Sequence, residues 1–278
     1  MIFRSKHIRS LLALAASAAI AVEASALESH WADSGKAQAR LIAAGAAKEG
    51  GPLRAGIEIR LQRGWHTYWR YAGDAGLPPR VDWSGSENLE RAKILWPAPV
   101  RIAVENGIES IGYNDSVLLP VHLFPENPAK PIVLKLKLDY GVCEKICIPA
   151  SASIALTLPV GSGRSYPALD AAEARVPAKS TLGGTGKLRV IAAKLERGPK
   201  SMAVVDVSVP TDRPFDLFAE GPSDDWALPL PKRKSFENGR ARFVIPLDDA
   251  PAGGSPIKSL RLTLVSGSEA IEVTAPLD

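Results

Sequence analysis

The sequence predicts an all-β protein made of two antiparallel β-sandwiches joined by a linker. Short apolar-polar alternations recur along the chain, as in LRAGIEIRLQ and PIVLKLKLDY, and a period of two is the signature of a half-buried strand. Proline and glycine, 23 of each among 278 residues, punctuate these runs and disfavour long helices. A Gly/Ser-flanked interruption then divides the pattern into two stretches, which fits a length suited to one large or two ordinary domains.

In chain order, residues 1–26 read as a secretory signal peptide. Arg4, Lys6 and Arg9 precede the apolar run Leu11–Val22, and Ala24-Ser25-Ala26 supplies an A-x-A cleavage site after Ala26. The apolar run falls short of the roughly 20 residues that span a bilayer, so the mature chain is expected to be soluble and exported. Residues 27–50, rich in Ala, Gly and Lys, read as a mobile lead-in, with SGKAQARLIAAG forming a helical turn or an edge strand. Strands are expected from LRAGIEIRLQ, SVLLPVHLF, PIVLKLKLDY and ASIALTLPV. Between them, Trp65, Trp69 and Trp83 read as core residues, Gly73-Asp74-Ala75-Gly76 as a turn and Pro78-Pro79 as its extended exit. Residues 161–186 read as the linker, with PALDAAEARV as one short helix. The β pattern resumes over residues 187–278 in KLRVIAAKLE, SMAVVDVSVP, ARFVIPL and SLRLTLVSGSEAIEVTAPL, a stretch without Cys or His.

Composition removes some functions. The net charge of +4 becomes about +2 once three Lys/Arg and one Glu leave with the signal peptide. Basic residues form no stripe interleaved with aromatics, so nucleic acid is not an expected partner. The cysteines are more informative. Both lie in GVCEKICIPA, as Cys143 and Cys147, and export makes one intramolecular bond the default. In a regular strand their Cα atoms would stand about 13 Å apart, whereas a disulfide needs roughly 4.4–6.8 Å. The stretch therefore has to bend if the pair is bonded. Closing a five-residue loop is worth only about 2 kcal/mol in the chain-entropy model, little for a structural staple. Three readings stay open on spacing alone: a redox pair, a local structural bridge, or a soft-metal site for Cu(I), which has no neighbouring His or Met to complete it. Hydrolase chemistry with His66 or His122 fits less well, because no cysteine-protease signature surrounds either cysteine.

Three blocks in order, GWHTYWRYAGDAGLPPRVDW (64–83), ENGIESIGYNDSVLLPVHL (105–123) and YGVCEKICIPAS (140–151), resemble the amino-terminal periplasmic domain of the thiol:disulfide interchange protein DsbD. The resemblance is nearer to the variant in ScsB-type proteins, linked to suppression of copper sensitivity, and covers about residues 40–160. It implies an immunoglobulin-like sandwich with the cysteine pair at a hairpin near one end. By position it makes Cys143 and Cys147 the redox pair, with the mixed disulfide on Cys147. Tyr68 matches an aromatic beside the pair, and the segment through Glu105, Asn106, Gly107, Ile108 and Tyr113 matches a cap loop that shields it.

Two departures accompany the resemblance. The family's better-known members place an aromatic over the disulfide, where this chain has Val104-Glu105-Asn106-Gly107-Ile108. Full-length members also continue into a membrane domain and a thioredoxin-like domain, which this sequence does not contain, so the electron source is expected to be a separate membrane protein. The resulting expectation is periplasmic thiol–disulfide exchange with thioredoxin-like partners, without a bound cofactor or metal. The second sandwich would act as a spacer or docking surface. The competing expectations are a non-catalytic binding or assembly module with a structural disulfide, and a Cu(I)-handling protein.

Overall fold

A computed structural model describes residues 27–45, 51–103, 107–161, 166–223, 226, 228–247 and 257–277. The signal-peptide segment and the cap-loop residues Glu105 and Asn106 lie outside the described residues. The first unit holds β1 (Leu27–Glu28), β2 (Ala32–Asp33), β3 (Ala37–Ala44), β4 (Leu53–Leu61), β5 (His66–Gly73), β6 (Arg80–Asp82), β7 (Arg91–Ile94), β8 (Val100–Ala103), β9 (Glu109–Asn114), β10 (Ser116–Phe124), β11 (Ile132–Cys143) and β12 (Cys147–Leu158). One sheet runs β1-β3-β4-β10-β7, with β2 on β3. The facing sheet runs β12-β11-β5-β9-β8, with β6 on β11.

The alternation read from the sequence decides what each face buries. On β11, Ile132, Leu134, Leu136, Leu138, Tyr140 and Val142 point into the core, while Lys135, Lys137 and Asp139 are exposed. Trp69 is fully buried in this core, and Trp65 and Trp83 pack partly buried against it, as expected of the Trp-rich block. Of the two forms read for SGKAQARLIAAG the strand is present, but inside the sheet between β1 and β4 rather than at its edge. The described part of the lead-in forms β1–β3, with Ala37, Ala39, Leu41 and Ala43 buried and β3 in register with β4 from Ala37↔Leu61 to Ala44↔Arg54. Alanine has low strand propensity, so a run of inward-facing alanines carries little β signal even where it fits between packed sheets.

Residues 161–186 contain α1 (Pro167–Ala174) and β13 (Ala178–Ser180). Pro167 opens the helix, where its missing N–H costs nothing. The helix docks on the first unit: Leu169 is fully buried, and the Arg54 guanidinium donates to Asp170 at 2.5 Å and Glu173 at 3.1 Å. The remaining strands are β14 (Arg189–Glu196), β15 (Met202–Ser208), β16 (Phe215–Glu220), β17 (Lys232–Glu237), β18 (Arg240–Pro246), β19 (Ser259–Ser266) and β20 (Glu269–Pro276). They form sheets β13-β20-β19-β16 and β14-β15-β18-β17 around a second core. The β13–β20 pair is parallel, an exception to the antiparallel expectation. It arises because β13 enters from α1 rather than from a hairpin.

The expected all-β, immunoglobulin-like sandwich architecture is thus present. The two sandwiches also pack on each other. Phe218 and Leu230 of the second unit bury themselves in the first core, with Phe218 6.2 Å from Trp69 between ring centres. Arg70 on β5 donates to both oxygens of Glu220, at 2.9 and 2.7 Å, and to Glu272 at 2.6 Å. Arg261 and Lys179 join the same two carboxylates, and Arg101 on β8 forks onto Asp216 at 2.8 and 3.0 Å.

Candidate redox site

The β11–β12 hairpin runs in unbroken register from Ile132↔Leu158 to Cys143↔Cys147. Glu144-Lys145-Ile146 is the three-residue loop that reverses the chain, and it sets the two cysteines directly opposite each other. Their Cα atoms are 4.2 Å apart and the sulfurs are joined as a disulfide. The bend demanded by the spacing is therefore a hairpin tip. Directly opposed residues that exchange no ladder bonds approach to about 4.5 Å, so ordinary strand pairing brings the sulfurs together.

The two sulfurs have unlike surroundings. Cys143 is 1% exposed and clusters with Tyr68 and Ala72, whereas Cys147 lies on the exposed side of the tip. Around Cys147 the surface is apolar, with Ile146 73% exposed and Ile148 also exposed. A partner can reach one sulfur only.

Tyr68 lies beneath the pair. Its hydroxyl is 2.7 Å from Cys143 Sγ and 3.0 Å from Cys147 Sγ. Burial pushes its phenol pKa up, against a smaller lowering influence from Ser110, so the phenol keeps its proton at neutral pH. Two glycines make room for the ring. A Cβ on Gly141 would stand 2.7 Å from the Tyr68 ring, and one on Gly76 2.3 Å from it. The segment 73–79 holds the ring down from outside: the Gly141 N–H donates to Leu77 O at 3.0 Å, and Ser110 Oγ to Ala75 O at 3.0 Å. The turn read at Gly73–Gly76 is thus also a clamp over the aromatic, with Gly73 and Gly76 at φ of 83° and 150°.

Of the cap residues expected from the resemblance, Tyr68 meets the sulfurs. Tyr113 does not; it belongs to the core between the sheets, its hydroxyl donating to Pro97 O at 2.8 Å. Gly107 adopts φ 75° and Ile108 is exposed just before β9. The sequence reading missed the contributions of Gly141, Gly76 and Leu77, and weighed His66 only for hydrolase chemistry, equally with His122, whereas His66 is the one paired with Cys143. Gly141, two residues before Cys143 in YGVC, was the available signal, since glycine in a strand interior marks a close approach.

Residues 38–159 match the family described as "Thiol:disulfide interchange protein DsbD, N-terminal". No curated protein sequence matches the chain. Among solved structures, the N-terminal periplasmic domain of ScsB from Proteus mirabilis is similar with a TM-score of 0.70 at 20% identity, covering 91% of this chain and 99% of that one. At that identity the likeness is one of fold, and it extends over both sandwiches.

Proposed function

We propose that this protein, whose residues 38–159 match the DsbD amino-terminal family, performs thiol–disulfide exchange in the periplasm. It passes reducing equivalents between a thioredoxin-like or membrane partner and oxidised exported proteins through Cys143 and Cys147. The observation that carries this reading is the asymmetry of the pair, an exposed Cys147 bonded to a Cys143 that is 1% exposed. Exchange needs one sulfur open to a partner and a second held within reach to resolve the mixed disulfide. The apolar rim of Ile146 and Ile148 supports partner contact there, and the leader at residues 1–26 supports export.

In the forward step the Cys147 thiolate attacks a substrate disulfide. One substrate sulfur leaves as a thiolate and a Cys147–substrate disulfide forms. Cys143 then attacks Cys147 Sγ, which closes the Cys143–Cys147 bond and releases the second substrate sulfur. Two electrons have passed to the substrate.

The reduction potential of the pair tests the proposal, measured in glutathione buffers with thiols counted by alkylation. A value of about −180 to −270 mV is expected, the range of exchange proteins. A value below roughly −300 mV, with a large loss of stability on reduction, would assign the bond to structure instead.

A further inference from the structure

His66 has no part in the exchange just described, yet it sits beside the buried sulfur. It opens β5, and its register partner on β11 is Cys143. Directly paired residues project from the same face of a sheet with Cβ atoms about 5 Å apart. The imidazole also meets the Tyr68 ring edge-on at 5.6 Å between centres, and the Tyr68 hydroxyl is in contact with Cys143 Sγ. The three side chains therefore share one face. His66 is 4% exposed, and its Nε2 is buried with no hydrogen-bond partner among the described residues. A buried polar atom left unpaired is costly and calls for a reason.

We propose that His66 is the proton acceptor for Cys143 in the resolving step, an inference that rests on the exchange function above. Cys143 is shut away from water and must lose its proton before it can attack. Its thiol proton passes to His66 Nε2, the thiolate attacks Cys147 Sγ, and the partner sulfur leaves with the electron pair of the broken bond. The imidazolium then gives its proton to the leaving thiolate or to solvent. In the reverse direction the imidazolium protonates Cys143 as it is expelled. Tyr68 cannot take this role because its phenol already carries a proton; it donates to the sulfur.

Several other groups surround His66. Asn114 of β9, its partner on the other side, is uncharged. At the hairpin end, the Asp115 carboxylate accepts from the Gly64 N–H, Glu144 approaches Gly64, and Lys36 lies over Trp65. Burial lowers the His66 pKa, which leaves the ring neutral and able to accept at pH 7.

Glutathione disulfide separates the two steps. The reduced full-length protein releases a first glutathione when Cys147 attacks and a second when Cys143 resolves. His66→Gln should leave the first release within about twofold and slow the second about a hundredfold at pH 7, the scale of general-base assistance. In the unaltered protein the second rate should level off above the imidazole titration. In the variant it should keep rising toward the thiol pKa, near 8.5. Equal slowing of both steps, or matching pH profiles, overturns the role of His66 alone. Absence of a first release overturns the exchange function itself. Should His66→Gln not fold, imidazole NMR on the unaltered protein decides: reduction should add a second inflection that tracks the Cys143 thiol, and its absence overturns the proposal.

Discussion

Tyr68 illustrates how one side chain sets the chemistry of a bond. Its hydroxyl touches both sulfurs, and burial keeps it protonated, so after reduction it can donate to a thiolate. A hydrogen bond to a charged group contributes about 1.5–3 kcal/mol, and each pKa unit corresponds to about 1.4 kcal/mol. Tyr68→Phe should therefore raise the pKa of the more acidic thiol by about one to two units, read from the pH dependence of alkylation. The fold should survive, since the ring and its packing remain. The cysteines and Tyr68 were legible in the sequence because spacing and the neighbouring motif single them out. His66 was legible only as one of two histidines that could meet a cysteine: histidine carries no period, and the choice depends on the β5–β11 register, which pairs residues 77 positions apart.

A hairpin only three residues wide at its tip leaves little freedom to what lies beneath it. Gly141 sits where the Tyr68 ring crosses β11, and an added methyl would overlap that ring at 2.7 Å. Gly141→Ala should cost about 1–3 kcal/mol, the usual penalty for overpacking, measured by urea unfolding. It should also speed alkylation of the reduced pair by displacing Tyr68. Strands with strong alternation, β11 above all, could be read directly because lysines and leucines take opposite faces. β3 could be read only as a helical turn or an edge strand, since its inward positions are mostly alanine. The β17–β18 turn was legible in retrospect: Asn238-Gly239, with φ of 49° and 75°, is the residue pair that two-residue hairpins favour.

At the scale of the molecule, the second sandwich is fastened to β5, the strand that carries Tyr68 beneath the cysteine pair. Arg70, two residues beyond Tyr68, is held by Glu220 and Glu272, whose side chains are 8% and 6% exposed. Arg70→Met would leave Glu220 with Arg261 alone and Glu272 with Lys179 alone, so the loss should stay below the roughly 3–5 kcal/mol typical of a buried charge left without any partner. Differential scanning calorimetry should show the loss, with the units melting separately. Burial pushes the Glu272 carboxyl pKa up, but Lys179 and Arg70 outweigh it and hold it below the ordinary carboxylate value. The folded pKa is the lower one, so this stabilisation is complete above the ordinary carboxylate range and fades as pH falls through the folded value. Thermal melts between pH 5 and 3 should show a steeper decline than those of Glu272→Gln. None of this was legible beforehand. The arginines and glutamates concerned lie up to 202 residues apart, and a chain-order reading sees them as ordinary surface charge.

The continuous register of the β11–β12 hairpin has one more consequence. Twelve opposed pairs hold the strands together, so the bond at their end is not needed to keep the tip closed. Oxidised and reduced protein then have nearly the same outline, and a partner that docks well on one docks well on the other. Under the exchange proposed above, such a carrier would not release its product by changing form. Turnover would come from the partners, each departing once its own sulfurs have changed state, and the protein would act as a passive relay whose traffic follows whichever neighbour is more reducing.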